Sequence, residues 1–319
     1  MHQRAWLIPG LLLGCAAARA DVPDATLVPA PPEPLTEVSV TAPEPRYVAP
    51  TRRDRIGRIW APVFINGKGP FRLVLDTGAN HSAITAQVAQ ALGVTADEES
   101  IVLLRGVTGS AEVPAIHVDT VIVGDLELKP AIMPIVPDVF GGAEGVLGTE
   151  GMSDKRVFID FQHDLITISR SHGARADHGF VTIPVQLSRE KLLVIPAHVG
   201  GLRVKAIIDT GGQATVANPA LIEALARRRS QYQPTPEQIQ GATDEIQDAE
   251  NMMMPPIDLG GVEFLRTRVA VAELKIFETW NLTQEPALVI GMDALGTLDM
   301  LIIDYRRREL QIRVHPLGF

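Results

Sequence analysis

The tripeptide Asp-Thr-Gly occurs twice, at Asp76-Thr77-Gly78 and at Asp209-Thr210-Gly211, each time closing an apolar run. Leu73-Val74-Leu75 leads into the first copy and Ile207-Ile208 into the second. A single copy is weak evidence, because Asp and Gly are ordinary turn residues. The constraint on the fold comes from surroundings that repeat in one order. Upstream, Pro62-Val63-Phe64-Ile65-Asn66-Gly67 matches Pro196-Ala197-His198-Val199-Gly200-Gly201. Downstream, Thr85 and Asn218 each lie nine residues past their Asp and are suited to cap a helix, since their side-chain oxygens accept from free backbone N–H groups. The helices expected after them are Ala86–Leu92 and Ala220–Ala226, with Pro219 suited to the first turn of the second.

The match continues. Val121–Leu128 and Ile257–Phe264 both read as strand, Gly turn, strand. Val146-Leu147-Gly148 pairs with Val289-Ile290-Gly291, and Val157–Phe161 pairs with Leu301–Tyr305. One further strand follows each of the last two, Leu165–Ile168 and Leu310–Val314. The chain is therefore an internal duplication of a unit of roughly 115 residues, the scale of a small domain. Short apolar runs separated by Gly, Pro and Asn predict a mostly β fold with few short helices. In Ile59–Ile65, Ile59, Ala61, Val63 and Ile65 alternate with Trp60, Pro62 and Phe64, so both faces are apolar, which predicts a strand covered on both faces.

These motifs resemble the aspartic protease superfamily, as two retropepsin-type halves fused in one chain. The resemblance implies two acid-protease β-barrel lobes related by a pseudo-twofold axis, in a pepsin-like bilobal arrangement. It implies an N-terminal lobe over residues 56–170, a linker over 171–179 and a C-terminal lobe over 180–319. It also makes Asp76 and Asp209 the catalytic pair. Thr77-Gly78 and Thr210-Gly211 would lock the two loops together across the axis. Val146, Leu147, Gly148, Val289, Ile290 and Gly291 would pack beneath those loops. The implied activity is hydrolysis of extended or unfolded peptide by a water held between the carboxylates, in a monomer, with no metal and no cofactor. The alternative is a protease fold that binds peptide without cleaving it.

Two carboxylates within hydrogen-bonding distance do not both ionise easily and share one proton over a wide pH range. Pepsin-like enzymes carry Ser or Thr after Asp-Thr-Gly, and this chain has Ala79 and Gly212. Lacking a hydroxyl that would stabilise the ionised form, the pair is expected to work nearer mildly acidic than strongly acidic pH. Gly106-Val107-Thr108-Gly109 and Gly241-Ala242-Thr243 begin 30 and 32 residues after Asp76 and Asp209, between segments that can pair as hairpins. By resemblance they are flap tips, and neither carries the tyrosine of a pepsin flap.

Composition narrows the partners. The chain has 319 residues, a formal net charge of −9 and 46% hydrophobic residues. An acidic chain without a basic stripe argues against nucleic-acid binding. Arg4, the apolar run from Ala5 to Leu13 and Ala18-Arg19-Ala20 read as an export signal over residues 1–20, too short to span a bilayer. The competing reading is that Leu12-Leu13-Gly14-Cys15 resembles a lipoprotein signal, with the chain's one cysteine lipidated and the protein held at a membrane. Both readings place the protein in the periplasm, in the medium or on an outer membrane. Residues 21–55 are proline-rich and read as a spacer, or as a prosegment whose Arg46, Arg52, Arg53 and Arg55 face an acidic cleft.

Other motifs carry less. The eight histidines show no metal-binding spacing, and His81 reads as a loop residue rather than a catalyst. No Gly-x-Ser-x-Gly elbow is present. Met252-Met253-Met254 reads as core or subsite wall, Arg306-Arg307-Arg308 as a solvated turn, and Asp160 and Asp304 as structural strand ends.

Overall fold

The computed structural model describes residues 36–39, 60–94, 100–129, 131–138, 141–163, 165–176, 178–188, 191–228, 234–240, 242–243 and 245–314. The expected export signal, Cys15, most of residues 21–55 and Gly241 lie outside them.

In chain order the N-terminal lobe runs β1 (Thr36–Ser39), β2 (Trp60–Ile65), β3 (Lys68–Leu75), β4 (Ala83–Thr85), α1 (Ala86–Leu92), β5 (Ile101–Arg105), β6 (Ser110–Val118), β7 (Val121–Val123), β8 (Leu126–Leu128), β9 (Ala131–Val136), β10 (Gly145–Leu147), β11 (Lys155–Asp160) and β12 (Leu165–Arg170). The C-terminal lobe runs β13 (Val181–Pro184), β14 (Gln186–Leu187), β15 (Leu193–Val199), β16 (Leu202–Ile208), β17 (Val216–Ala217), α2 (Pro219–Ala226), β18 (Thr235–Gln240), β19 (Ile246–Met253), β20 (Ile257–Asp258), β21 (Glu263–Phe264), β22 (Arg268–Val271), α3 (Lys275–Thr279), β23 (Ala287–Ile290), α4 (Met292–Leu295), β24 (Met300–Asp304) and β25 (Glu309–Arg313).

The duplication is written into the strand order. One sheet runs β5-β6-β9-β4-β10-β3-β2-β7-β8, and the other β18-β19-β22-β17-β23-β16-β15-β20-β21, which is the same order with each strand replaced by its counterpart. A third sheet, β12-β11-β24-β25-β13, joins the lobes. In it Arg156–Asp160 pairs antiparallel with Asp304–Met300, so each lobe's closing strands complete the other's edge. One apolar core runs through both lobes, with Val63, Leu73 and Leu147 on one side and Ala197, Ile208 and Ile290 on the other.

Several expectations are refined. The helix over Ala86–Leu92 forms as predicted, and its partner begins one residue early, at Pro219. Asn218 caps by accepting from Leu221 N at 3.0 Å, whereas Thr85 stands at the cap position without a side-chain cap. β2 is buried on one face only: Ala61, Val63 and Ile65 are in the core, while Trp60 and Phe64 are 38% and 42% exposed. The guanidinium of Arg72 lies 4.8 Å from the Trp60 ring and covers part of that outer face, which pattern alone does not foretell. The arginine turn is not merely solvated. Arg306 donates to Ser171 O and Arg307 to Gly173 O, fastening the segment between the lobes. Within the proline-rich stretch, β1 pairs in parallel with β5, Thr36 opposite Val102 through Ser39 opposite Arg105. No helix among the described residues is long and apolar enough to cross a membrane.

Candidate active site

β3 and β16 each end at an aspartate, and the chain must then turn under the next strand. Asp76 N donates to Leu147 O at 2.9 Å and Asp209 N to Ile290 O at 3.0 Å, so the apolar segments of β10 and β23 hold the two turns from below. Each aspartate folds its own turn. Asp76 Oδ1 accepts from Gly78 N and Ala79 N at 2.8 and 3.0 Å, and Asp209 Oδ1 accepts from Gly211 N and Gly212 N at 2.9 and 3.0 Å.

The threonines join the turns across the lobes. Thr77 Oγ1 donates to Ile208 O at 2.6 Å and accepts from Thr210 N at 3.1 Å. Thr210 Oγ1 donates to Leu75 O at 2.6 Å and accepts from Thr77 N at 3.2 Å. The Cα of Gly211 lies so close to the Asp76 carboxylate that a β-carbon there would sit 2.2 Å from Asp76 Cγ.

Asp76 and Asp209 are thus brought together, 0% and 1% exposed. Burial holds the Asp76 carboxyl well above the usual carboxylate range, and the charge of Asp209 and a hydrogen bond to it push the same way. The amides of Gly78 and Ala79 pull in the opposite direction and do not prevail. Two carboxyls so placed hold a proton between them and can give and take it in turn. Among the described residues, no three His, Cys, Asp or Glu side chains are grouped to hold a metal ion.

Four supporting residues escaped the sequence reading. Ser82 and Thr215 each stand six residues past their aspartate, and Glu150 and Asp293 each stand two residues past the lower glycine. Gly148 N donates to Ser82 Oγ at 3.1 Å, and Ser82 N to Glu150 Oε1 at 2.6 Å. Gly291 N donates to Thr215 Oγ1 at 3.2 Å, while Thr215 N and Oγ1 donate to the two oxygens of Asp293 at 3.0 and 2.6 Å. The matched spacing was the available signal, but neither pair shares a residue type. Replacing Thr215 by Val keeps the shape and leaves Gly291 N–H without its acceptor. We expect this to cost about 1–3 kcal/mol, read by thermal melting against the parent. An unchanged melt would show that the clamp contributes nothing.

Tyr305, the counterpart of Phe161, also lies near the pair. Its buried phenol is pushed up, by burial first and by the charge of Asp76 second. His81 adjoins the lower glycine, whose added β-carbon would meet the His81 backbone at 2.5 Å. Burial lowers its imidazole, against the opposing pull of Glu150.

The hairpins β5–β6 and β18–β19 stand where flaps were expected, and their tips meet. Gly106 faces the Thr243 side chain, and Gly109 lies against the Glu245 carboxylate. Val107, Thr108 and Ala242 are buried. Of the methionine run, Met252 and Met254 are buried and Met253 is exposed. Asp160 and Asp304 organise their turns, Asp160 accepting from Gln162 N and His163 N, and Asp304 from Ser171 Oγ and Arg307 N.

The aspartyl protease family model matches residues 61–150 and 195–294. Among solved structures, a retropepsin-like aspartic protease from Rickettsia conorii matches at 18% identity, covering 44% of this chain and 96% of its own, with a TM-score of 0.29. No curated protein matches the chain. The two segments that fit the family model span more than half of the sequence, one in each lobe, so the chain belongs to the aspartyl protease family.

Proposed function

We propose that the chain is an aspartic endopeptidase with one site, formed between its lobes by Asp76 and Asp209. The observation that carries this reading is the pair of buried carboxyls on matched turns, where burial first and the charge of Asp209 second hold the Asp76 carboxyl well above the usual carboxylate range. In the proposed reaction the ionised member takes a proton from a water. The water oxygen attacks the peptide carbonyl, whose oxygen receives the proton of the other carboxyl. Collapse of the tetrahedral adduct breaks the C–N bond, and the amine leaves with a proton from the pair. Substrate would lie as an extended strand beneath the two hairpins. With an export signal over residues 1–20, or lipid on Cys15, the work would be done outside the cytoplasm, by a single chain.

Incubation with a diverse peptide mixture from about pH 3 to 7.5, read by mass spectrometry, tests the proposal. We expect cleavage with an optimum on the mildly acidic side. The turns present Ala79 and Gly212 where a hydroxyl would favour ionisation, and burial raises Asp76 further. An optimum near pH 2 would contradict the account of the proton. Peptide bound but uncleaved at every pH would favour the binding-module reading.

A further inference from the structure

The two hairpin tips are not equivalent. Each is buried in the opposite half of the molecule: Ala242 packs with Val74, Ala79 and Leu104 of the N-terminal lobe. Val107 packs with Leu192, Ile276, Phe277 and Trp280 of the C-terminal lobe. Only for the N-terminal tip is there also a backbone bond to the far lobe among those described, from Ile276 N to Val107 O at 3.2 Å.

The receiving element breaks the duplication. Between β22 and β23 the chain spends fifteen residues, 272–286, and builds α3. The counterpart between β9 and β10 is eight residues long, 137–144, and shows no helix among its described residues. The extra length is apolar where it meets the tip. Ile276 and Phe277 are buried, and Trp280 is 8% exposed. A short helix with little polar surface toward the core gains its stability from such packing and not from its own length.

We propose that α3 is a latch specific to the N-terminal hairpin: Val107 docks on it when the site is covered, and must leave it for peptide to enter. The two hairpins then differ in role despite their common origin. The N-terminal one carries the gate, because opening it breaks a defined hydrogen bond and uncovers a defined apolar seat. This inference rests on the proteolytic reading only for the word "peptide"; the docking itself does not.

The test separates the two. A 3.2 Å N–H···O contact brings the backbones of residues 107 and 276 within the range a disulfide spans. In a Cys15→Ser background, Val107→Cys with Ile276→Cys is the only thiol pair in the chain. The oxidised form, verified by mass, should turn over peptide at least about tenfold more slowly than the reduced form, with recovery on reduction. Independently of turnover, Val107→Gly should speed hydrogen exchange at the Ile276 amide by about tenfold. In a Trp6→Phe, Trp60→Phe background, which leaves Trp280 as the one tryptophan, it should also open Trp280 to a soluble quencher. Equal turnover in both redox forms, or exchange and quenching unchanged by Val107→Gly, would overturn the latch. If no form cleaves peptide while exchange and quenching do change, the latch stands and the proposed activity falls.

Discussion

Asp76→Asn and Asp209→Asn are each expected to lower peptide hydrolysis by at least about 10³-fold, and Asp76→Asn to raise thermal stability at neutral pH at the same time. The loss follows because neither carboxyl can stand in for the other: one must accept a proton while its partner donates one. The gain follows from linkage. Burial and the charge of Asp209 hold Asp76 above its unfolded value. Such a group contributes its stability below the ordinary carboxylate range and withdraws it as pH rises through the raised value. Asparagine keeps the Oδ1 acceptor for Gly78 N and Ala79 N and carries no charge to bury. The variant should therefore melt a few degrees above the parent near pH 7, the shift that about 1 kcal/mol brings at this size. Near pH 3 the two curves should converge. A variant that melts lower at pH 7 would show that the ionised carboxyl is a net support of the fold. Full activity in either variant would remove the proposed mechanism.

The geometry of the two aspartate turns was legible because it depends on residues the fold leaves little freedom to vary. An aspartate that builds its own turn needs a small residue two positions on, and the threonine between them has a hydroxyl with a fixed task across the axis. Both demands fall on consecutive positions, so they survive as a word in the sequence. The duplication was legible for a related reason: each apolar run recurs with its turn. What stayed hidden depends on partners far apart in sequence. The outer face of β2 reads as core because Trp60 and Phe64 are apolar, and only the structure shows both of them exposed, with Arg72 over the Trp60 ring. The Ser82–Glu150 and Thr215–Asp293 clamps use different residue types for one geometry, so a match by identity passes over them. Among the described residues α3 has no counterpart in the other lobe, and a reading built on repetition is blind to what does not repeat.

Gly211→Ala tests the closeness of the two turns more sharply than any change to the aspartates. Its backbone does not require glycine by conformation, since Gly211 is not among the residues with positive φ. It requires glycine for space. An added methyl would lie 2.2 Å from Asp76 Cγ and 2.4 and 2.5 Å from its oxygens, inside any real contact. Relief by moving the turn is blocked, because Thr210 is tied to Leu75 O and to Thr77 on the opposite lobe. Relief by swinging Asp76 breaks its bonds to Gly78 N and Ala79 N. Either route costs about 1–3 kcal/mol, the usual range for overpacking, and displaces a carboxyl of the proposed pair. We expect a lower melting temperature and turnover reduced by at least about 10²-fold. Gly106→Ala is the internal contrast, since its methyl would meet only the Thr243 side chain and backbone N, at 3.1 Å and beyond. It should melt like the parent. If Gly211→Ala instead keeps both its melting temperature and its activity, the two loops stand further apart in solution than here, and the shared-proton pair loses its geometric basis.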